Sequence, residues 1–369
     1  MMLAFVGTLN RLAPYVAAAN GPGIAVFAFD PATGALAPRH EVGGVENPSY
    51  LTLDAAGRTL YAVSEVYGWH EGVVTAWRIA RPGGMLTYIN QQPTLGSIAA
   101  YVGCDRSGRW LLVANYRMGA DGLRPPQAVV VYPIAPDGGL GPPAASVGHT
   151  GSGPHPTRQD GPHPHCALAS PDNRHVLVAD LGIDRIMVYR FDAATGALAP
   201  AAQPFAALPP GSGPRHLAFD PAGRRLYAIS ELANTVTVFA WDAASGGLAP
   251  VQTVSTLPAR WQGESHCSDL QFSPDGRFLY GANRGHDSIA VFAVDPVSGR
   301  LTPAGQYPTL GRTPRQFTPD PSGRFLLIAN QNADAVVVLT RNAAGSGLTD
   351  SGQRGAVGTP MCVQLLDIG

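Results

Sequence analysis

The sequence contains no lysine, so all 25 of its lysine-plus-arginine residues are arginine. Without a lysine amine the protein cannot form a lysine Schiff base, and that class of covalent mechanism is excluded. An anion held by side-chain charge must therefore bind arginine or histidine. Charged residues make up only 14% of the chain, and the formal net charge is −1. This balance gives no support for a nucleic-acid partner or for binding to an anionic membrane.

Cysteine is also scarce, and the few cysteines are not paired in sequence. The four residues are Cys104, Cys166, Cys267 and Cys362, and no two of them form a CxxC motif. The sequence therefore lacks both a zinc knuckle and a dithiol redox motif. We expect four free, buried thiols in a reducing compartment, and hence a cytoplasmic protein.

Several other signals are missing. No apolar stretch approaches the ~20 residues that cross a bilayer. The apolar run at 2–6 has no basic residue before it, as a signal peptide would have, and it matches an internal repeat. We therefore expect it to be a strand of the mature protein. There is no G-x-S-x-G elbow, Walker loop or dinucleotide fingerprint, so serine-nucleophile and nucleotide-dependent chemistry lack support, and we expect no cofactor.

A repeat runs through most of the chain. Each copy has a short apolar run, then Asp-x-x-Gly-Arg or a variant, then a second apolar run that ends in small polar residues. The six copies span 47–65, 98–117, 163–184, 213–234, 266–287 and 313–334. Their turn residues are separated by 51, 65, 50, 53 and 47 positions. A period near 50 residues, together with 44 glycines and 34 prolines for the turns, is typical of four-stranded propeller blades.

The two ends of the chain supply a seventh copy. Residues 2–10 align with the second strand of the repeat, and 23–38 align with the third strand and its turn, but no first strand precedes them. The missing first strand is found at 359–368. We therefore predict an all-β, seven-bladed β-propeller, formed by residues 1–369 as a single domain. Its ring is closed by N-terminal strands that pair with a C-terminal strand, which leaves no open edge.

The two faces of the predicted ring differ in sequence. The turns after the first strands are interchangeable β-turns, whereas residues at the opposite ends of the strands change from blade to blade. Any one of these residues is more often a turn cap or a solvated charge. Unlike residues that converge on one mouth are nevertheless what a single asymmetric site requires. The charged and imidazole side chains at these positions are Glu65, Arg117, His163, His165, Asp180, Arg215, His216, Glu231, Glu264, His266, Arg284 and Arg315.

Two further features bear on this mouth. The interval of 65 residues exceeds its neighbours by about fifteen, which we assign to the Gly/Pro-rich segment 147–165. That segment is either a plain insertion or a lid over the site. The mouth also has imidazoles that could in principle bind a metal, but a lone HxH motif is a weak signal. We therefore expect no metal and assign the histidines to internal hydrogen bonds or to substrate.

Three segments resemble one known family: RQDGPHPH at 158–165, the stretch 213–239, and the stretch 273–292. They are similar to the seven-bladed propeller lactonases, which include bacterial 6-phosphogluconolactonases of the propeller type and fungal carboxymuconate cyclases. The resemblance extends over essentially the whole chain. It implies a catalytic group made of His165 (or His163), Arg215, Glu231 and Arg284. It also places Arg158, Gln159 and His216 close by, and we add Glu65, Arg117, His163, His266 and Arg315 as candidate substrate-binding residues.

The resemblance implies a lactonase acting on a sugar-acid lactone, with 6-phosphogluconolactone as the leading substrate. Glu231 or a histidine would activate water, and Arg215 and Arg284 would hold the oxyanion or the phosphate. One alternative is a carboxymuconate-type cycloisomerase that uses the same residues. Another is a non-catalytic propeller that binds a ligand or a protein, because fold alone does not fix function. The only partner we expect is a small anionic lactone, and the oligomeric state is left open.

Overall fold

The computed structural model describes residues 2–117 and 127–369. Within these ranges the chain forms seven four-stranded antiparallel sheets, which we number as blades 1 to 7. Blade 1 contains β1 (Met2–Thr8), β2 (Ile24–Phe29), β3 (Leu36–Val42) and β28 (Pro360–Asp367). Blade 2 contains β4 (Pro48–Leu53), β5 (Thr59–Ser64), β6 (Val73–Ile79) and β7 (Leu86–Pro93), and blade 3 contains β8 (Ser97–Cys104), β9 (Trp110–Arg117), β10 (Val129–Pro133) and β11 (Ala145–Val147).

The remaining blades follow in chain order. Blade 4 contains β12 (Pro164–Ala169), β13 (His175–Asp180), β14 (Arg185–Asp192) and β15 (Ala197–Ala207). Blade 5 contains β16 (Pro214–Phe219), β17 (Arg225–Ser230), β18 (Thr235–Asp242) and β19 (Gly247–Ser255). Blade 6 contains β20 (His266–Phe272), β21 (Phe278–Arg284), β22 (Ser288–Val294) and β23 (Leu301–Pro308). Blade 7 contains β24 (Pro314–Pro319), β25 (Phe325–Asn330), β26 (Ala335–Arg341) and β27 (Leu348–Ala356). Two short 3₁₀-helices span Leu181–Ile183 and Gln331–Ala333, and no helix in the described ranges is long and apolar enough to cross a bilayer.

The ring closes through the two ends of the chain, which confirms the predicted seven-bladed propeller. Strand β1 pairs antiparallel with β28, from Met2 opposite Asp367 to Gly7 opposite Cys362, and its other edge pairs with β2. All seven residues of β1 are buried, because blades 7 and 2 cover its two faces. The strand therefore has no free edge at which another chain could pair.

The hydrophobic core lies between neighbouring blades. Adjacent sheets pack face to face, so the middle strands are buried along their whole length, as β5 and β13 show. Between blades 4 and 5, for example, Leu177 and Ile186 pack against Leu226 and Phe239. Each such side chain contributes roughly 1.5–3 kcal/mol when it is fully buried. Because every blade needs both neighbours to cover its two faces, closure of the ring stabilises all of them.

A β-bulge interrupts the first strand of every blade, near the end at which that strand begins. In blade 4, Pro164 pairs with Asp180 and Cys166 pairs with Ala179, so His165 between them has no partner. The unpaired residues of the other blades are Ser49, Ala100, Arg215, Arg315 and Met361, and in blade 6 Ser268 and Asp269 together lie opposite Ala282. A bulge bends its strand and changes the direction of a side chain. Six of these residues surround one narrow space at the centre of the ring.

The 65-residue interval differs from the expectation in one respect. The connection from Val147 to Pro164 accounts for part of the excess, as predicted. Strand β9, however, ends at Arg117 and β10 begins at Val129, whereas β21 and β22 are separated by three residues. The extra length is thus divided between two connections of blade 3, and residues 118–126 lie outside the described ranges.

Candidate active site

A cavity of about 380 Å³ opens at the bulged ends of the first strands. Its wall includes seven of the predicted site residues: Glu65, Arg158, His165, Glu231, His266, Arg284 and Arg315. Arg215 and His216 lie directly beneath, around a narrow extension of this cavity. A larger hollow, of about 550 Å³, lies between the turns of blades 2 and 3, but its arginines are exposed surface residues such as Arg58.

Glu231 is the centre of the charged cluster. It follows β17, is only 2% exposed, and its carboxylate is paired with three guanidinium groups. Its Oε2 lies 2.9 Å from Arg215 Nε and 2.8 Å from Arg284 Nη2, and its Oε1 accepts a hydrogen bond from Arg158 Nη2. Burial acts to raise the pKa of the carboxyl, but the charges of Arg284, Arg158 and Arg215 outweigh it and hold the pKa well below its usual value. Glu231 is therefore a fixed anion and a weak base.

The three arginines reach Glu231 from different segments. Arg215 is the bulge residue of β16, Arg284 ends β21, and Arg158 comes from the 148–163 connection. Burial, followed by the charge of Arg284, lowers the pKa of Arg215 to about 9. Arg158 is the most exposed of the three, with 31% of its side chain accessible, against 15% for Arg284 and 3% for Arg215. Arg158 and Arg284 are thus the two that a ligand in the cavity can contact most readily.

His165 is the bulge residue of β12 and lies in the cavity wall. Burial, and then the charge of Arg215, hold its pKa well below its usual value, so the imidazole is neutral at pH 7. No group among the described residues hydrogen-bonds to its Nδ1. A neutral imidazole in a buried wall has the properties of a general base.

A second ion pair lies across the cavity. Arg315, the bulge residue of β24, places its Nη2 3.2 Å and 3.4 Å from the two oxygens of Glu65. Tyr15 donates a hydrogen bond of 2.5 Å to Glu65 Oε1, and the Arg315 guanidinium lies 4.8 Å from the centre of the Tyr15 ring. Tyr15 comes from the connection between β1 and β2, which also contributes Pro14 to the wall. This half of the cavity is therefore formed by blades 7, 1 and 2.

A layer of buried side chains closes the channel beneath these groups. His216 Nδ1 lies 2.7 Å from Asp269 Oδ1, and His216 Nε2 lies 3.2 Å from Arg215 Nη1. The imidazole makes T-shaped contacts with the rings of Tyr50 and Tyr101, whose centres lie 5.6 Å and 5.9 Å from its own. Burial and then Arg215 lower the pKa of His216. His216 thus belongs to the support of the site, and it does not line the open cavity.

Three predicted site residues line neither the cavity nor its narrow extension. His163 is bonded through Nδ1 to the Tyr116 carbonyl and through Nε2 to Asp160, at 2.8 Å each, and it stacks on the Tyr116 ring. The Gln159 amide donates to the Leu181 carbonyl and to Asp184 Oδ1, also at 2.8 Å. Arg117 is exposed at the end of β9. His165 lines the cavity and His163 does not, because the bulge at His165 directs the side chain of that residue alone toward the centre of the ring.

The 148–163 connection is anchored to blade 4 at both of its ends. Asp180, at the end of β13, binds His149 Nδ1 at 2.6 Å and the His163 backbone amide at 2.7 Å. Gln159 is fixed within the connection by the bonds given above. The segment that we predicted to be an insertion or a lid therefore contributes a side chain to the site, because it places Arg158 in contact with Glu231.

Four residues around the site were not predicted from the sequence. Tyr15, Tyr67 and Tyr116 line the cavity, and Asp269 supports it from below. Tyr116 adjoins the predicted Arg117, so its place at a strand end was the available signal. Tyr15 and Tyr67 lie in connections that have no counterpart in the repeat, and nothing in the sequence marks them. In the described part of the chain, no three or more His, Cys, Asp or Glu residues are arranged to hold a metal ion.

These features define a seven-bladed β-propeller with an arginine-rich pocket at one mouth. The chain belongs to the family described as Lactonase, 7-bladed beta-propeller, whose model matches residues 4–365. It is 34% identical over 318 residues to a 6-phosphogluconolactonase of Bacillus subtilis, which covers 86% of this chain and 85% of the relative. It is 31% identical over 320 residues to a 6-phosphogluconolactonase of Formosa agariphila, covering 86% of each. The solved structure of the periplasmic gluconolactonase PpgL of Pseudomonas aeruginosa superposes with a TM-score of 0.90 and 36% identity, covering 100% of this chain and 99% of that one.

Proposed function

We propose that this chain is a lactonase that hydrolyses a sugar-acid lactone, and that its substrate is 6-phosphogluconolactone. The main support is the pairing of a neutral imidazole with a buried cluster of guanidinium groups at one mouth: His165 beside Arg215, Arg284 and Arg158. Lactone hydrolysis needs both a base for water and a positive environment for the oxyanion. The names of the Bacillus and Formosa relatives favour the phosphorylated substrate.

The charge of the cavity favours an anionic substrate. The wall has three arginines against two glutamates, and Arg215 lies directly beneath it. The side chains of Arg158 and Arg284 remain partly exposed although both contact Glu231. Guanidinium groups bind phosphate through paired hydrogen bonds. We therefore assign the phosphate of the substrate to Arg158 and Arg284.

The hydrolytic step follows from the protonation states. A water molecule attacks the lactone carbonyl carbon, and His165 takes the proton that the water loses. The carbonyl becomes an oxyanion, which Arg215 stabilises next to His165. The tetrahedral intermediate then expels the ring oxygen, which receives the proton back from His165 and becomes an alcohol. The carboxylic acid formed at the other end of the opened ring releases its own proton to solvent, and the product is the open-chain carboxylate. Glu231 is not the base in this scheme, because the three arginines hold its pKa too low.

Lactonisation of a carboxymuconate is the second candidate reaction. A carboxylate can form the same paired hydrogen bonds with Arg158 and Arg284 as a phosphate does. The Glu65 carboxylate in the opposite wall favours the sugar lactone, because it would repel a second carboxylate and can accept bonds from hydroxyl groups.

The test is a direct assay of the purified protein with three substrates: 6-phosphogluconolactone, gluconolactone and a carboxymuconate. We expect the highest kcat/KM for the phosphorylated lactone, measured as acid release above the spontaneous rate. Arg284→Met should lower kcat/KM by about a hundredfold or more, since a buried charge-assisted contact is lost. Arg324→Met, at an exposed turn on the other face, is the matched control and should leave it unchanged. Equal turnover of all three substrates, or full activity of Arg284→Met, would refute the proposal.

We infer a cytoplasmic location from the four cysteines, all of which are free thiols. The Pseudomonas relative is periplasmic by its name, so cell fractionation of the native host, with detection of this chain, decides the question.

A further inference from the structure

We propose that Asp269 is a positioning residue, which fixes the tautomer of His216 and thereby the orientation of the Arg215 guanidinium. The inference rests on the proposed function, because it concerns the arginine to which the oxyanion is assigned. Asp269 contacts neither the cavity nor His165, and it was not among the residues that the sequence pointed to.

The fold directs Asp269 inward. Cys267 pairs with Asn283 and Leu270 pairs with Gly281, so Ser268 and Asp269 together lie opposite one residue of β21. This bulge turns the Asp269 side chain toward the channel, where it is 1% exposed. Buried carboxylates are rare unless they are paired, and the partner of this one is His216.

In the contacts from Asp269 to His216 and from His216 to Arg215, each hydrogen bond has only one possible donor. A carboxylate only accepts, so the 2.7 Å contact with Asp269 places the proton on Nδ1 of His216. Nε2 then has a free lone pair. A guanidinium only donates, so Arg215 Nη1 donates to this Nε2 over 3.2 Å. The Ser268 carbonyl accepts a second bond from the same Nη1.

These two acceptors orient the guanidinium. With Nη1 held by His216 and Ser268, Arg215 Nε lies 2.9 Å from Glu231 Oε2. The opposite tautomer of His216 would point an N–H at the Nη1 donor, and a doubly protonated imidazole would also repel the guanidinium charge. In both cases Arg215 would have to rotate away from its position. T-shaped contacts with Tyr50 and Tyr101 hold the imidazole ring itself in place.

The Asp269→Asn variant tests the chain of hydrogen bonds. The other oxygen of Asp269 accepts from the Phe317 amide and from Gln271 Nε2, at 3.3 Å each. Asparagine would keep its oxygen toward these two donors and would therefore present its NH₂ to His216 Nδ1. The imidazole would then carry its proton on Nε2, facing Arg215. We expect kcat for 6-phosphogluconolactone to fall by about 10- to 100-fold, which is the usual loss when a residue that orients a functional histidine by a hydrogen bond is replaced. KM should change by less than about threefold.

Asp320→Asn is the matched control. Asp320 is fully buried and accepts backbone hydrogen bonds in a turn on the opposite face. The same chemical change there should lower stability without lowering kcat. If Asp269→Asn keeps a kcat within about twofold of the wild type, or if Asp320→Asn lowers kcat equally, the positioning role is wrong.

Two variants of His216 provide a test that does not depend on Asp269→Asn. A glutamine carbonyl can take the place of Nε2 and accept from Arg215, whereas the shorter asparagine amide reaches only the place of Nδ1. His216→Gln should therefore retain more of the wild-type kcat than His216→Asn. The reverse order would overturn the proposal.

The tautomer itself can be read without any assay. In ¹⁵N-histidine NMR spectra of the whole protein, the His216 signals are identified by their loss in His216→Gln. We expect a protonated Nδ1 and an unprotonated Nε2 in the wild type, and the reverse in Asp269→Asn. An unprotonated Nδ1 in the wild type would refute the inference. If the wild type hydrolyses none of the lactones, the proposed function fails, and this spectrum still decides whether Asp269 sets the tautomer.

Discussion

The turn end and the bulged end of the blades use acidic side chains in different ways. At the turn end, Asp54, Asp220 and Asp320 each accept hydrogen bonds from backbone amides of their own turn. At the bulged end, Glu231 and Glu65 are paired instead with guanidinium groups of other segments of the chain. The first arrangement stabilises one blade, and the second brings several blades into one site.

This difference explains what the repeat reveals about the protein. Every blade needs the same turn after its first strand, so the aspartate of that turn recurs along the sequence and indicates the fold. A site needs unlike groups, so the bulge residue is His165 in blade 4, Arg215 in blade 5 and Arg315 in blade 7, whereas blades 1 to 3 have small or apolar residues such as Ala100. Residues that depart from a repeat therefore indicate the function, and residues that follow it indicate the architecture.

The largest effect should come from opening the ring. Removing residues 359–369 deletes β28, exposes an edge of β1 and uncovers two of the clusters between blades. We expect a chain that does not fold cooperatively, measured by circular dichroism during urea unfolding. Removing Gly369 alone is the control and should leave the transition unchanged. A stable, active protein without β28 would show that the blades do not depend on closure as a single domain.

Substitution of Glu231 should have the next largest effect. Glu231→Gln leaves three guanidinium groups without their counter-ion in a buried site. Removing one partner of a buried ion pair costs about 3–5 kcal/mol, and the arginines should also lose their arrangement, so lactonase activity should be abolished. The free energy of unfolding from urea titration and the rate of acid release measure the two effects. A variant as stable as the wild type would contradict the account of the cluster.

The pH dependence of activity provides a smaller and more specific test. Burial and nearby positive charges, including Arg315, keep the pKa of His165 below 6.5. The base is therefore neutral at pH 7, and kcat/KM should fall only as the pH drops through this lower pKa. Arg315→Met removes one of the charges, so the pKa of His165 should rise and the acidic limb should move to higher pH. If the acidic limb of the variant stayed at the same pH or moved to a lower pH, His165 would not be the base.

The smallest effect should come from the turn end. Asp220→Asn weakens two hydrogen bonds to the backbone amides of Arg224 and Arg225, at 2.7 and 3.0 Å. We expect a loss of about 1–2 kcal/mol in the free energy of unfolding, with kcat and KM unchanged. A loss of activity comparable to that of Glu231→Gln would remove the distinction between the two ends.

Much of the fold could be predicted because its signals are local. The spacing of the turns predicted the four-stranded blades. The absence of a first strand ahead of β1 predicted that β1 pairs with β28. The direction of individual side chains could not be predicted, since a bulge adds one residue to a strand without any clear signal in the sequence. For this reason the sequence left His163 and His165 as alternatives.

The roles of the site residues depend on contacts between distant segments. The sequence suggested Glu231 or a histidine as the base, and the choice requires the three arginines that surround the carboxylate. Tyr15 and Asp269 were missed because their importance comes from Glu65 and His216, which are 50 and 53 residues away in the chain.

A crystal structure with the reaction product 6-phosphogluconate would show whether the arginines and His165 at the mouth form the substrate site. We expect the phosphate in hydrogen-bond contact with Arg158 and Arg284, and the new carboxylate beside His165 and Arg215. Product bound in the hollow between the turns of blades 2 and 3, or bound at the mouth without contact to these arginines, would contradict this expectation.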